Sequence, residues 1–156
     1  MKLDEAGYNL ICTFEGLKLH PYLCSAGVPT IGYGNTYYPN GRKVTLKDKV
    51  ITKEYAKEIF IFIADLFAKD VASLIKSQVT QNQFNAITSL AYNIGTDIDA
   101  DDIPEGLGDS TLLKKINKNP NDPTISSEFA KWNKANRKVV LGLTKRRTAE
   151  SALYFK

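Results

Sequence analysis

Hydrophobic positions along the chain recur mostly every three or four residues, which marks out a largely helical protein. Leu3, Tyr8, Ile11 and Cys12 form the first such stripe. Asp4 is placed to cap it, Leu3 and Tyr8 stand in the relation of a hydrophobic staple, and Gly16 suits the position just past the last turn. The pattern then changes. Thr30 to Gly34 alternates small or polar residues with Ile31 and Tyr33, as a short strand does. Two glycines inside a strand indicate that something approaches the backbone closely. Asn40-Gly41 is a tight-turn pair and Lys43-Val44 a returning strand, so Pro21 to Thr45 reads as a small hairpin or three-strand meander.

From Thr52 the helical pattern returns and continues towards Lys76. Ile59, Phe60, Ile63, Phe67, Val71 and Leu74 form its main stripe. Ile61 and Phe62 fall off that stripe, so the middle of this helix is expected to be buried on two sides. Thr80 with Gln83 is a capping-box pair opening a further helix, whose apolar positions run to Ile94 before Gly95 ends it. Thr96 to Gly108 reads as a solvated acidic loop, because it lacks the glycine and glutamate spacing of a calcium-binding loop. Ser110 or Asp109 caps the next helix, to about Asn117, and Asn119 to Pro123 is a break. A helix from about Ser126 is expected to carry Phe129 and Trp132. A last one, from about Leu143, is expected to pack through Ala149, Ala152 and Leu153. The fold class is α+β, mostly α.

Composition narrows the function classes. The chain has 156 residues, 43% hydrophobic and 24% charged, enough for one substantial core and too apolar for disorder. No apolar run approaches the ~18 residues of a membrane span, and the first residues lack a signal-peptide core. Two cysteines, Cys12 and Cys24, are too few for a disulfide framework, and Cys12 reads as a small core residue. His20 is the sole histidine and has no partner at metal-ligand spacing, so neither metal nor cofactor is expected. The net charge of +4 suits anionic surfaces such as bacterial walls. The cations are dispersed apart from Lys145-Arg146-Arg147, which argues against nucleic acid.

The candidate chemistry lies between Glu15 and Gly34. The first helix ends on Glu15, where the backbone dipole is negative. A carboxyl there is expected to favour its protonated form, as a general acid must. Eight residues separate Glu15 from Cys24, and five separate Cys24 from Thr30. This spacing resembles the motif of the phage-type lysozymes, glycoside hydrolase family 24, which is Glu, eight residues, Asp or Cys, five residues, Thr. Phe14-Glu15-Gly16 and Thr30-Ile31-Gly32-Tyr33-Gly34 match its flanking wording. Ala91-Tyr92-Asn93-Ile94-Gly95, Ser110-Thr111-Leu112-Leu113 and Gly142 to Glu150 resemble its later landmarks, in order.

The resemblance implies a lysozyme-like domain over 1–156. A first helix (1–15) and hairpin lobe (20–50) would be joined by a connecting helix (52–76) to a helical lobe (80–156). It implies an endolysin-type muramidase that hydrolyses the β-1,4 bond between N-acetylmuramic acid and N-acetylglucosamine in peptidoglycan. Glu15 would be the general acid, Cys24 the second catalytic residue, and Thr30 would orient water or sugar. Gly34 and Asn35 would hold N-acetyl groups, Tyr92 would supply an aromatic platform and Thr111 would line the cleft. Arg137 and Arg147 are candidates to pair with Glu15, and Arg147 alternatively pairs with Glu150 one turn on. A free thiol ionises near ~8.5, and an ionised Glu15 nearby would hold its thiolate down. Asn35 stands where some relatives carry histidine, and Asp97 to Asp109 reads as an insertion. Two alternatives share the cleft: a non-hydrolytic wall-binding protein and a lytic transglycosylase. The expected protein is a monomer acting on peptidoglycan, without nucleic acid or stable membrane insertion. It would be made in the host cytoplasm and reach the wall by holin-type release or lysis.

Overall fold

A computed structural model describes residues 1–24, 26–98 and 106–156. Its first helix, α1 (Glu5–Glu15), begins where the Asp4 carboxylate accepts from the Gly7 backbone N–H at 3.1 Å. The same oxygen accepts from Asn85 Nδ2 at 2.7 Å, so one side chain both caps α1 and ties it to a later helix. Gly7 is required there, because a Cβ would stand 2.6 Å from Leu3 and 2.7 Å from the Asn85 carbonyl.

The sheet differs from expectation. Strand β1 (Lys18–Leu23) pairs antiparallel with β2 (Pro29–Gly32), with Tyr22 opposite Thr30 and Leu23 opposite Pro29. The partner of the Thr30 strand therefore precedes it. Lys43 makes only an isolated bridge to Tyr37. β1 is hard to read because Pro21 lies inside it and its burial barely alternates. The register shifts between Lys18 and Tyr22, around that proline. The Asn40-Gly41 turn forms as expected, with Gly41 at φ 81° and its N–H donating to the Tyr38 carbonyl.

Helix α2 (Lys53–Leu74) is capped by Thr52, which accepts from the Tyr55 N–H. It contributes to two clusters. Ile59 and Ile63 pack with Ile31, Tyr38 and Val44 beside the hairpin; Phe60, Ala64, Ala68 and Val71 join the larger helical core. Phe67 packs against both. Ile61 is partly buried, whereas Phe62 is 40% exposed, so the second buried side is narrower than expected. No helix among the described residues is long and apolar enough to cross a membrane.

Helix α3 (Gln81–Ile94) opens on the complete Thr80/Gln83 capping box and is buried on all sides from Gln83 to Ala91. It packs against α1, α2 and the C-terminal helix. Most of the acidic 97–109 stretch lies outside the described residues. Helix α4 (Thr111–Lys118) is capped by Ser110, and α5 (Ile125–Ala130) follows. Trp132 lies beyond the end of α5 rather than within it. A short hairpin, β3 (Lys134–Ala135) with β4 (Lys138–Val139), was not expected; Asn136 and Arg137 form its turn at φ 50° and 63°.

Helix α6 (Leu141–Tyr154) starts earlier than its apolar pattern indicates, and the buried face is not the expected one. Ala152 is exposed, while Arg146, Arg147, Glu150 and Tyr154 are buried. Glu150 accepts from Arg146 Nε at 3.1 Å, Arg147 Nη2 at 3.0 Å and the Ser89 hydroxyl at 2.7 Å. Charged groups inside a core are tolerated only when each is paired.

Two stability outcomes follow from these anchors. Asp4→Ala removes the α1 cap and one partner of Asn85, and should lower unfolding stability by about 1–3 kcal/mol. Glu150→Ala leaves two buried guanidinium groups without their shared anion and should cost about 3–5 kcal/mol. Urea unfolding midpoints of the purified variants check both.

Candidate active site

Glu15 is the last residue of α1, and Gly16, at φ 68°, turns the chain away behind it. Its carboxylate at the negative helix end has an arginine partner, though not one of the two expected. Arg146 Nη1 donates to Glu15 Oε1 at 2.6 Å, with the guanidinium 4% and the carboxylate 19% exposed. Arg146 is itself fixed by the buried frame, through Nε to Glu150 and through Nη2 to the Ser89 carbonyl at 3.1 Å. Neither expected partner takes this place. Arg137 stands in the β3–β4 turn, and Arg147 pairs with Glu150 at 2.7 Å, as its alternative role required.

The close approach indicated by the strand glycines is identifiable. A Cβ on Gly34, which has φ 82°, would stand 3.0 Å from Glu15 Oε2. At Gly32 a Cβ would meet Asn35 Oδ1 at 3.3 Å and Ala56 behind it. Glycine at 34 thus lets the backbone border the carboxylate directly.

Cys24 lies in the turn that joins β1 to β2. Its N–H donates to the Val28 carbonyl at 3.0 Å, and its own carbonyl accepts from Gly27 N–H at 2.8 Å. The thiol is free and partly exposed. Its pKa is lowered, first by the backbone N–H of Val28, then by that of Ala26, with the Thr30 hydroxyl adding to them. The donors of the turn outweigh the opposing effect of burial, and the shift runs opposite to the one expected from Glu15. Thr30 is buried, and its hydroxyl, donating to the Val28 carbonyl at 2.9 Å, also borders the sulfur. Cys12 shows the opposite shift: burial on α1 pushes it up to about 11.

Tyr22, opposite Thr30 in the hairpin, links the two halves. Its phenol is raised by burial, then by the charge of Cys24, then by that of Glu15. Both groups therefore lie within electrostatic reach of one ring. Direct contacts join Glu15 to Gly34 and Thr30 to the Cys24 turn, and Tyr22 stands between the two pairs.

The remaining candidates are placed differently. Asn35 is buried, and its Nδ2 donates to the Tyr92 hydroxyl at 3.1 Å, so the amide faces inward rather than towards a sugar. The Tyr92 hydroxyl donates in turn to the Tyr33 carbonyl at 3.1 Å. The Tyr92 ring packs against Phe60 and Phe67, and burial, followed by the Glu15 charge, raises its phenol well above the ordinary value. Asn35 and Tyr92 therefore brace the loop that carries Gly34. Thr111 is exposed at the start of α4, in a depression shared with Ser110, Lys131 and Trp132 that Glu15, Cys24, Thr30 and Gly34 do not line. Among the described residues no group of three or more His, Cys, Asp or Glu is arranged to hold a metal ion.

Sequence reasoning missed Arg146 as the partner of Glu15 and Ser89 as a member of the frame, and it expected Glu150 as a partner of Arg147 alone. The one signal was the Arg-Arg pair followed by glutamate three and four positions on, which allowed either arginine to pair with it.

Residues 12–150 match the family model described as phage lysozyme. An endolysin of Acyrthosiphon pisum secondary endosymbiont phage 1 is 41% identical, covering 99% of this chain and 98% of that protein. An endolysin of Bacillus phage B103 is 37% identical over 99% of this chain, which spans only 54% of that longer protein. Among solved structures, an endolysin from Escherichia coli O157:H7 phage FAHEc1 superposes with a TM-score of 0.84 at 35% identity, covering 99% of this chain and 93% of that one. On these matches the chain belongs to the phage lysozyme family.

Proposed function

We propose that Glu15, Cys24 and Thr30 carry the reaction of an endolysin-type muramidase, with Glu15 as general acid and Cys24 acting as a thiolate. Family membership makes the chain a peptidoglycan-hydrolysing enzyme. The observation that carries the assignment of roles is the Glu15 carboxyl, held on one oxygen by Arg146 and bordered on the other by Gly34.

The division of labour follows from that geometry. Oε1 is occupied by the guanidinium, so Oε2 is the oxygen left to take up a proton and pass it to the glycosidic oxygen as the bond between sugar carbon and oxygen breaks. Positive charge then develops on the sugar ring. A neutral thiol would do little for it, but a thiolate supplies the negative charge that a carboxylate gives at this position. The lowered pKa of Cys24 favours that form. Thr30 holds the sulfur and the turn, and Asn35 and Tyr92 hold the Gly34 backbone against the acid. Water supplies the hydroxyl that ends on the sugar carbon, and its proton completes the balance. The enzyme works as a monomeric single domain, without nucleic acid or stable membrane insertion. It reaches the wall by holin-type release or lysis.

Three outcomes test these roles. Glu15→Gln keeps an oxygen for Arg146 but removes the transferable proton, so clearing of peptidoglycan suspensions should fall by about 10³-fold with unfolding stability preserved. Cys24→Asp should retain clearing within about tenfold, while Cys24→Ser, which cannot supply an anion at neutral pH, should lose about 100-fold. A wild-type rate in the serine variant would remove the thiolate from the mechanism. Because the Cys24 pKa is lowered and that of Cys12 raised to about 11, alkylation by iodoacetamide should proceed at Cys24 from the lower pH, with Cys12 reacting only in strong alkali. Peptide mass spectrometry across a pH series reads the two rates separately.

A further inference from the structure

The segment from Asn40 to Lys53 carries five cations, Arg42, Lys43, Lys47, Lys49 and Lys53, against one acid, Asp48. That single acid is spent internally. Its carboxylate accepts from Arg42 Nη1 at 2.9 Å, the Tyr38 hydroxyl at 2.9 Å, and the Thr45 backbone N–H and hydroxyl at 3.1 and 2.9 Å. Its side chain is largely covered, while Arg42 remains exposed and lies over the Tyr38 ring at 4.4 Å. Lys47 and Lys49 flank Asp48 on this pinned turn and stay exposed.

The turn borders an open groove of about 750 Å³, lined by Tyr38, Asn40, Arg42, Lys47, Lys49 and Tyr55. Tyr55 stacks on Tyr38 with centroids 6.3 Å apart and planes 13° apart, and it presents a 40% exposed face. None of the groove's lining residues belongs to the Glu15–Cys24–Thr30 site. Like charges set side by side on a rigid turn repel one another, and an anion relieves that repulsion. The tyrosine face suits the carbon side of a sugar or polyol. Exposed cations beside a tyrosine face suit a ligand that carries both phosphate and hydroxylated carbon units, and the open form of the groove suits an extended chain.

We propose that this groove binds a phosphate-bearing polyol polymer of the bacterial envelope, as a second site apart from the catalytic one. Its role as a tether at the wall rests on the muramidase reading; the binding itself does not.

The test uses the full chain and poly(glycerol phosphate) as probe, followed by calorimetry and by backbone chemical shifts. Lys47→Ala/Lys49→Ala should weaken binding at least tenfold. Lys69→Ala/Lys118→Ala, which removes two exposed cations elsewhere, should leave it within twofold. Wild-type shifts should cluster between Tyr38 and Tyr55. Equal weakening by both double variants, shifts confined to the Glu15–Gly34 site, or binding to phosphatidylglycerol vesicles but not to the polymer would each overturn the proposal. Walls stripped of phosphate polymers separate the two readings. There the Lys47→Ala/Lys49→Ala variant should clear at the wild-type rate, whereas release of no new reducing sugar ends by wild type, even at concentrations where tethering is not needed, overturns the muramidase reading alone.

Discussion

The candidate site depends on an ion pair whose cation is more deeply buried than its anion. Arg146 reaches Glu15 from inside the protein, with its guanidinium nearly inaccessible to water. A buried guanidinium is stable only if its donors are met and its charge is balanced. Here Arg146, Arg147, Glu150 and Glu15 make a set of two cations and two anions, with Ser89 serving both Glu150 and Arg146. The network joins the end of α1, the middle of α3 and the middle of α6. A carboxyl held this way keeps its position because three helices would have to separate before it could leave.

The close backbone at Gly34 depends on the same arrangement. Glu15 can sit against the loop after β2 because residue 34 has no side chain, and that loop is braced from beneath by Asn35 and Tyr92. The Tyr92 ring is wedged among Phe60 and Phe67 of α2, so the long helix sets the position of the hairpin as well as filling the core. Asn35 thus has a structural reason to be an amide. It donates to a phenol oxygen already committed to the Tyr33 carbonyl.

Legibility in the sequence followed the range of each interaction. The caps at Asp4, Thr80 and Ser110 were readable because each joins residues three apart. The long α2, and α3 with its buried middle, announced themselves by periodicity. Strand β1 did not, since Pro21 and a half-exposed surface blur its alternation. The inner face of α6 was misread for a deeper reason. Hydrophobic patterning assumes that buried means apolar, and Arg146, Arg147 and Glu150 are buried by mutual charge compensation instead. Glu15 itself was legible, but its partner 131 residues away was not.

The two catalytic candidates are therefore held by opposite means. Cys24 is governed by its own turn: the donors that favour its thiolate come from residues 26 to 30, and no distant helix is needed. Glu15 is governed by the tertiary structure, through a guanidinium that only α3 and α6 can position. A thiol tolerates this asymmetry better than a carboxylate at the same place would need to. Its ionisation is helped by a tight turn whose N–H groups face the sulfur, and that help is local. The acid needs a fixed geometry more than a shifted charge, and a buried ionic frame provides that at long range. Changes in the helical core should accordingly disturb the acid first and leave the sulfur nearly untouched, whereas changes in the turn should do the reverse.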